Sequence, residues 1–221
     1  MSNFEGITPN IPMKNLVLCS LFFVLFVAAS YWWLPEIYHR WIQEDGPIEY
    51  LTAWVLLAMC VFVLIQIRKT FYKRPKPLIL WSTIALGCFL GFGEELSWGQ
   101  RIFEWESPPF FENHNAQKEI NLHNLIWKNV KFNKWFSKGA TLAIGAYFLI
   151  FPLAIRHLAW FNWCKRRWAI PVPQWEHSAI LVVATGAILI LPDPKKWELW
   201  EACLVLTFFL VLLNQVKPKP H

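Results

Sequence analysis

An all-α bundle of membrane-crossing helices is the fold class this sequence predicts, and three observations predict it. Hydrophobic residues make up 56% of the 221 residues and charged residues 16%, where a soluble domain carries roughly 25% charge. The apolar residues gather into runs of about 20, the length that carries a helix across roughly 30 Å of hydrocarbon at about 1.5 Å per residue. Tryptophan is unusually frequent, with 15 copies. Most sit at run ends (Trp32, Trp33, Trp81, Trp98, Trp160, Trp175, Trp197), where an indole buries its ring and offers its N–H to headgroups. Trp54 lies inside a run.

Six runs follow one another in a single integral membrane domain spanning 1–221: 16–34, 48–67, 78–98, 140–158, 175–191 and 199–216. The first has the outline of a signal peptide, with Lys14 ahead of an apolar stretch and small residues at Ala28, Ala29 and Ser30. It continues through Trp33, however, and further runs follow, so it reads as a span. Pro152 predicts a kink in the fourth run, and Pro171 and Pro173 open the fifth. The fifth and sixth are short or carry charges. Gly87 and Gly91 form a small-xxx-small pair suited to close helix packing.

Orientation follows from the basic residues of the loops. Lys14, the 68–76 and 156–167 clusters, and Lys217 and Lys219 put 12 of the 21 Lys and Arg on one side. That side is expected to be cytoplasmic and to hold both termini, as in a bacterial inner membrane. Thirteen of the 15 carboxylates fall on the opposite side, with only Glu5 and Glu176 on the basic one. The long loop 99–139 is then extracytoplasmic. Net charge is +6, but the basic residues are confined to short loops, which argues for membrane orientation and against nucleic acid. The five cysteines are isolated, without a CxxC pair, so neither a disulfide framework nor a zinc ribbon is indicated.

The acidic side holds the residues that could carry chemistry. Glu94 and Glu95 end the third run, where the helix dipole disfavours anions, so they call for a proton, a cation or an arginine such as Arg101. Carboxylates at that depth are functional candidates by default; the plain alternative is that both reach for headgroups. Glu49 opens the second run. Glu198 and Glu201 open the sixth, whose uninterrupted apolar stretch is too short to span without drawing in Glu201. In the long loop, Glu119 and His123 are four apart and would share a helix face. That spacing suits a metal or a carboxylate-oriented imidazole. Asn115, Gln117, Asn121 and Asn124 surround the pair with amides. Downstream, Leu125, Ile126, Trp127 and Val130 alternate with Lys128, Lys131 and Lys134, as in an amphipathic helix lying on the membrane.

Two blocks, Gly-Glu-Glu-Leu-Ser-Trp-Gly-Gln-Arg at 93–101 and Asn-x-Gln-x-Glu-x-Asn-Leu-His-Asn from Asn115, resemble those of a group of bacterial multi-span proteins that also share the Glu44-Asp45-Gly46 opening. The resemblance covers residues 44–125 and implies no particular activity. Glu94-Glu95 with His123-Asn124 also resembles the intramembrane glutamate proteases of the CAAX-processing type. That family places an arginine four residues after the second glutamate and has a second His-x-x-x-Asn/Asp helix. Here the arginine is Arg101 and the second helix is missing.

Three functions are compatible with this pattern. The first is a membrane-embedded hydrolase or transferase acting on a lipid or lipid-linked substrate. Its catalytic set would be Glu94, Glu95, Glu119 and His123, supported by Glu49, Arg101, Asn124 and Glu201, with a divalent metal on Glu95, Glu119 and His123 as the candidate cofactor. The second is a structural or assembly subunit, and the third a proton- or cation-coupled carrier. Membrane lipids are the expected partners of all three.

Overall fold

A computed structural model describes residues 12–122, 125–127, 130–131 and 142–216. The protein is an all-α polytopic bundle. Its long helices are α1 (Met13–Trp33), α3 (Pro47–Gln66), α4 (Pro75–Glu95) and α10 (Lys196–Val216). Each is long and apolar enough to cross a membrane, α3 together with the π turn Ile67–Phe71 that continues it. Short helices α2 (Pro35–Ile42), α5 (Gln100–Phe103) and α6 (Pro109–His114) lie between them. α7 (Leu142–His157) and α8 (Ala159–Trp168) form a pair bent by 109°, which makes a fifth span if counted as one. α9 (Trp175–Leu189) has 15 residues, about 22 Å of helix, so the expected fifth run falls short of spanning length by itself.

α10 is the central helix, packing on α1, α3 and α9. Its buried side chains, Leu199, Ala202, Cys203, Leu210 and Val211 among them, recur at three- and four-residue intervals along one stripe. Elsewhere the helices keep apolar side chains outward: Phe22 is 72% exposed, and Trp54 and Leu86 are also exposed. Such surface is stable against lipid tails and not against water. Chain directions follow from side-chain pairs. Leu56 meets Gly91 and Trp54 meets Phe92, so α3 and α4 are antiparallel. Phe62 stacks edgewise on Phe209, and Thr185 accepts from Trp200 Nε1 at 3.0 Å.

The bundle therefore has an acidic end and a basic end. The acidic end carries the C-termini of α1 and α4, the N-termini of α3 and α10, and the helices α2, α5 and α6. The basic end carries Arg68–Lys76 and the crosswise helix α8, with Lys165, Arg166 and Arg167. Exposed tryptophans ring both, Trp32, Trp33 and Trp105 at one and Trp160, Trp163 and Trp175 at the other.

Between α8 and α9 the chain runs extended through Pro171 and Pro173, with no helical bonds. Its carbonyls are taken by side chains from surrounding helices. Trp81 Nε1 donates to Ala169 O (3.0 Å), Tyr147 Oη to Pro171 O (3.1 Å) and Gln215 Nε2 to Val172 O (3.1 Å). Pro152 acts in the same neighbourhood. It has no N–H to give to Phe148 O four residues back, and Ser178 Oγ donates to that carbonyl instead, at 2.6 Å. Irregular backbone at membrane depth is tolerated only where protein satisfies it in this way. The strap from Pro171 to Gln174 and the helix α9 together run from the level of Gln215 to that of Leu199.

Two expectations for the long loop change. His123 lies outside the described residues, but Glu119–Leu122 is not helical, so the helix face expected to carry Glu119 is not formed there. Asn115 is the reason. Its Oδ1 accepts from the N–H groups of Gln117 (2.8 Å) and Glu119 (3.3 Å), offering the backbone an alternative to helical bonds. In the described part of the amphipathic helix expected from Leu125, strand stands in place of helix. Ile126–Trp127 and Val130–Lys131 pair as a small antiparallel ladder, β1 and β2.

Candidate functional site

α4 ends at Glu95, three residues before the end of the apolar run, because the backbone turns left-handed. Ser97, Trp98 and Gly99 have φ of 44°, 55° and 82°. For the two non-glycine residues this costs roughly 1–2 kcal/mol each, so the surroundings must hold them. Part of the hold is Trp98, whose indole folds back over Gly93. A Cβ on Gly93 would lie 2.7 Å from ring atoms of Trp98, so glycine is what lets the ring lie there. Trp98 Nε1 then donates to Glu94 Oε1 at 3.2 Å.

The rest of the hold joins the two sequence blocks. Ser97 Oγ donates to Glu119 Oε2 at 2.6 Å. Asn121 Nδ2 donates to both Ser97 Oγ and Glu119 Oε2 at 3.1 Å. Asn115 Nδ2 donates to Asn121 O and Oδ1 at 2.8 Å. The Leu122 N–H donates to Glu94 Oε2 at 2.6 Å, and the Ile120 N–H to Gln100 Oε1 at 2.7 Å. Gln100 Nε2 reaches Ser107 Oγ at 2.6 Å, and that hydroxyl bonds in turn to Lys118 O. Ser97 and Asn121 are buried at 0% and 1% exposure. Two of these bonds end on carboxylates at short, charge-assisted distances.

A second group lies along the rim of the same end. Glu49 Oε2 accepts from the Asp45 N–H at 2.8 Å. The charge of Glu49 acts on Glu198 and Glu201, and Glu44 and Lys195 also act on Glu198. Lys195 Nζ lies 3.8 Å from Glu44, and His39 Nδ1 3.2 Å from Asp193. Beside them Tyr38 is fully buried, with no partner for its hydroxyl among the described residues. Burial, followed by the charge of Asp193, pushes its phenol well above the usual tyrosine range.

The expected site residues thus fall into two neighbourhoods. Glu94 and Glu119 are joined through the loop; Glu49 and Glu201 belong to the rim. Glu95, partly buried at the end of α4, is engaged as well. Arg101 follows in α5, its side chain outside the described part, and His123 and Asn124 lie outside the described residues. Among the described residues no three His, Cys, Asp or Glu side chains are grouped as metal ligands, and Glu119 Oε2 already accepts from Ser97 and Asn121. Sequence reasoning did not single out Ser97 or Gln100; the only signal was their place inside the first block. Comparison with protein-family models, with curated proteins and with solved structures returns no match.

Proposed function

We propose that this chain is a six-crossing protein of a bacterial inner membrane, with a non-catalytic structural or assembly role exercised through its acidic, extracytoplasmic end. One observation carries the reading. The groups best suited to chemistry, Glu94, Ser97 and Glu119, bond to one another's loops and hold residues 97–122 as a platform on the end of α4. The platform turns Ile102, Phe103, Trp105 and Phe110 outward, a surface suited to headgroups or to another membrane subunit. The strap and α9 supply the crossing that the length of α9 alone does not.

A second reading, a hydrolase or transferase acting on a lipid-linked substrate, is favoured by Ser97 itself. A serine in a left-handed turn, bonded to a carboxylate at 2.6 Å, is the kind of strained backbone that clusters at active sites. Glu95, Glu119 and His123 with a divalent metal belong to this reading.

Glu119→Gln separates the two without knowledge of any substrate. In the assembly role it lowers the melting temperature in detergent and opens residues 100–122 to protease, because a charge-assisted acceptor is lost. Catalytic groups are held at the expense of stability, so an unchanged or raised melting temperature favours the enzyme. Orientation is tested in intact cells with an impermeant thiol reagent and single cysteines at Lys73 and Gln117 in a cysteine-free background. The expected result is labelling at 117 and not at 73; the reverse pattern puts the acidic end in the cytoplasm.

A further inference from the structure

At the opposite end of the bundle, α7 stops at His157 and Leu158 takes an extended conformation (φ −116°, ψ 113°). The chain then turns by 109° into α8. A helix set crosswise to a membrane bundle lies close to the membrane plane. α8 is sealed at its far end by Ala169 in the left-handed region, with the Ile170 N–H donating to Lys165 O at 3.2 Å. Its sequence, Ala-Trp-Phe-Asn-Trp-Cys-Lys-Arg-Arg-Trp, combines aromatic rings with three adjacent cations.

Beneath α8 is an open cavity of about 250 Å³. Its walls are Leu80 of α4, Phe151 of α7, and Phe161, Cys164 and Trp168 of α8. The lining is apolar, and the size admits a segment of one hydrocarbon chain rather than a whole lipid. At about 100° per residue, Lys165 and Arg167 flank the wall face of Cys164 and Trp168 on either side, and Arg166 points away from it. From α4, Lys76 Nζ lies 5.9 Å from the Trp163 ring and 5.6 Å from that of Trp168. Among the described residues, no carboxylate pairs with Lys76, Lys165, Arg166 or Arg167.

We propose that this groove is a binding site for an anionic phospholipid, with part of one acyl chain between α4, α7 and α8 and the phosphate against Lys165, Arg167 and Lys76. Charge complementarity selects the occupant. A zwitterionic lipid offers the same chain to the cavity, but only a net negative headgroup answers three cations beside its mouth that no carboxylate pairs among the described residues. Each such cation adds to the attraction for an anionic leaflet, and an apolar slot beside them turns a diffuse attraction into a located one. The inference is independent of the proposed role for the acidic end.

The test uses the full chain in detergent, with phosphatidylglycerol or phosphatidylcholine added and bound lipid read by native mass spectrometry. Phosphatidylglycerol should be retained in preference. The double variant Lys165→Gln, Arg167→Gln should reduce that preference by roughly tenfold or more. Cys164→Trp, which fills the groove and keeps the charges, should lower retention of both lipids. A second readout does not depend on variants: alkylation of Cys164 by N-ethylmaleimide, followed by peptide mass, should slow in phosphatidylglycerol and not in phosphatidylcholine. Equal retention of the two lipids, a double variant that keeps the preference, or Cys164 alkylation indifferent to lipid would each overturn the site.

Discussion

At the acidic end the chain from Glu94 to Leu122 is held by side chains that share atoms with one another. At the basic end, Trp81, Tyr147, Ser178 and Gln215 each reach a different backbone carbonyl. Ser97 Oγ is at once a donor to Glu119 and an acceptor from Asn121, and Glu119 Oε2 accepts from both. Shared atoms make a cooperative unit in which removing one group leaves another buried and unsatisfied. Separate carbonyls make a set of nearly independent ties. The difference predicts how each end fails: the acidic end as a whole, the basic end one bond at a time.

The largest expected effect comes from Gly93→Ala, which breaks the acidic unit from beneath. The added methyl meets the Trp98 ring at 2.7 Å. The indole must leave, taking its bond to Glu94 and the left-handed turn with it. A loss of about 3 kcal/mol is expected, seen as a lower unfolding midpoint together with new protease cleavage in 100–122. Loss of stability without cleavage there would mean that the turn does not depend on the ring.

Next in size is a pair of double-mutant cycles. Ser97→Ala and Asn121→Ala should each cost about 2 kcal/mol, and the double variant should cost well under the total of the two, because either change alone already unravels the shared group. Trp81→Phe and Ser178→Ala act on Ala169 O and Phe148 O separately. They should cost about 1 kcal/mol each and add to within about 0.5 kcal/mol. Additive behaviour at both ends would erase the contrast.

The smallest effect runs in the stabilising direction. The Tyr38 hydroxyl is buried without a partner among the described residues, so Tyr38→Phe should raise stability by about 1 kcal/mol. The folded protein holds this phenol protonated to higher pH than the unfolded chain does. Its contribution is therefore fully present below the ordinary tyrosine value of about 10 and declines as pH rises from there toward the folded value. Alkaline unfolding of the wild type should accordingly be steeper above pH ~10 than that of Tyr38→Phe.

The helices were legible because composition alone states them: a run of apolar residues about 20 long has few stable fates other than a membrane helix. Gathering of the carboxylates at one end was legible for the same reason, since helix length converts sequence position into depth. The acidic unit was not. The bonds that join its two blocks link residues 20 to 28 apart in sequence, and no periodicity encodes which loop side chain meets which helix end. The helical reading of Glu119 assumed that backbone N–H groups bond to backbone, whereas Asn115 takes two of them with its side chain. The resemblance marked both blocks without indicating that they touch. At the helix end, Gly99 is the residue type that marks a positive φ, but the left-handed turn that begins at Ser97 has no comparable mark in a serine or a tryptophan.

The strap before α9 has a further consequence, for the bilayer rather than for the bundle. A helix of 15 residues beside neighbours of 21 makes one side of the protein shorter in continuous helix than the others. Lipids along that side must compress, or the extended segment must sink into hydrocarbon with only its side-chain ties to shield it. Mismatch of this kind carries a modest energy for each ångström and is enough to sort proteins among membranes. The protein should therefore favour bilayers of short or disordered acyl chains, and in a thick, ordered membrane it should tilt toward its short side.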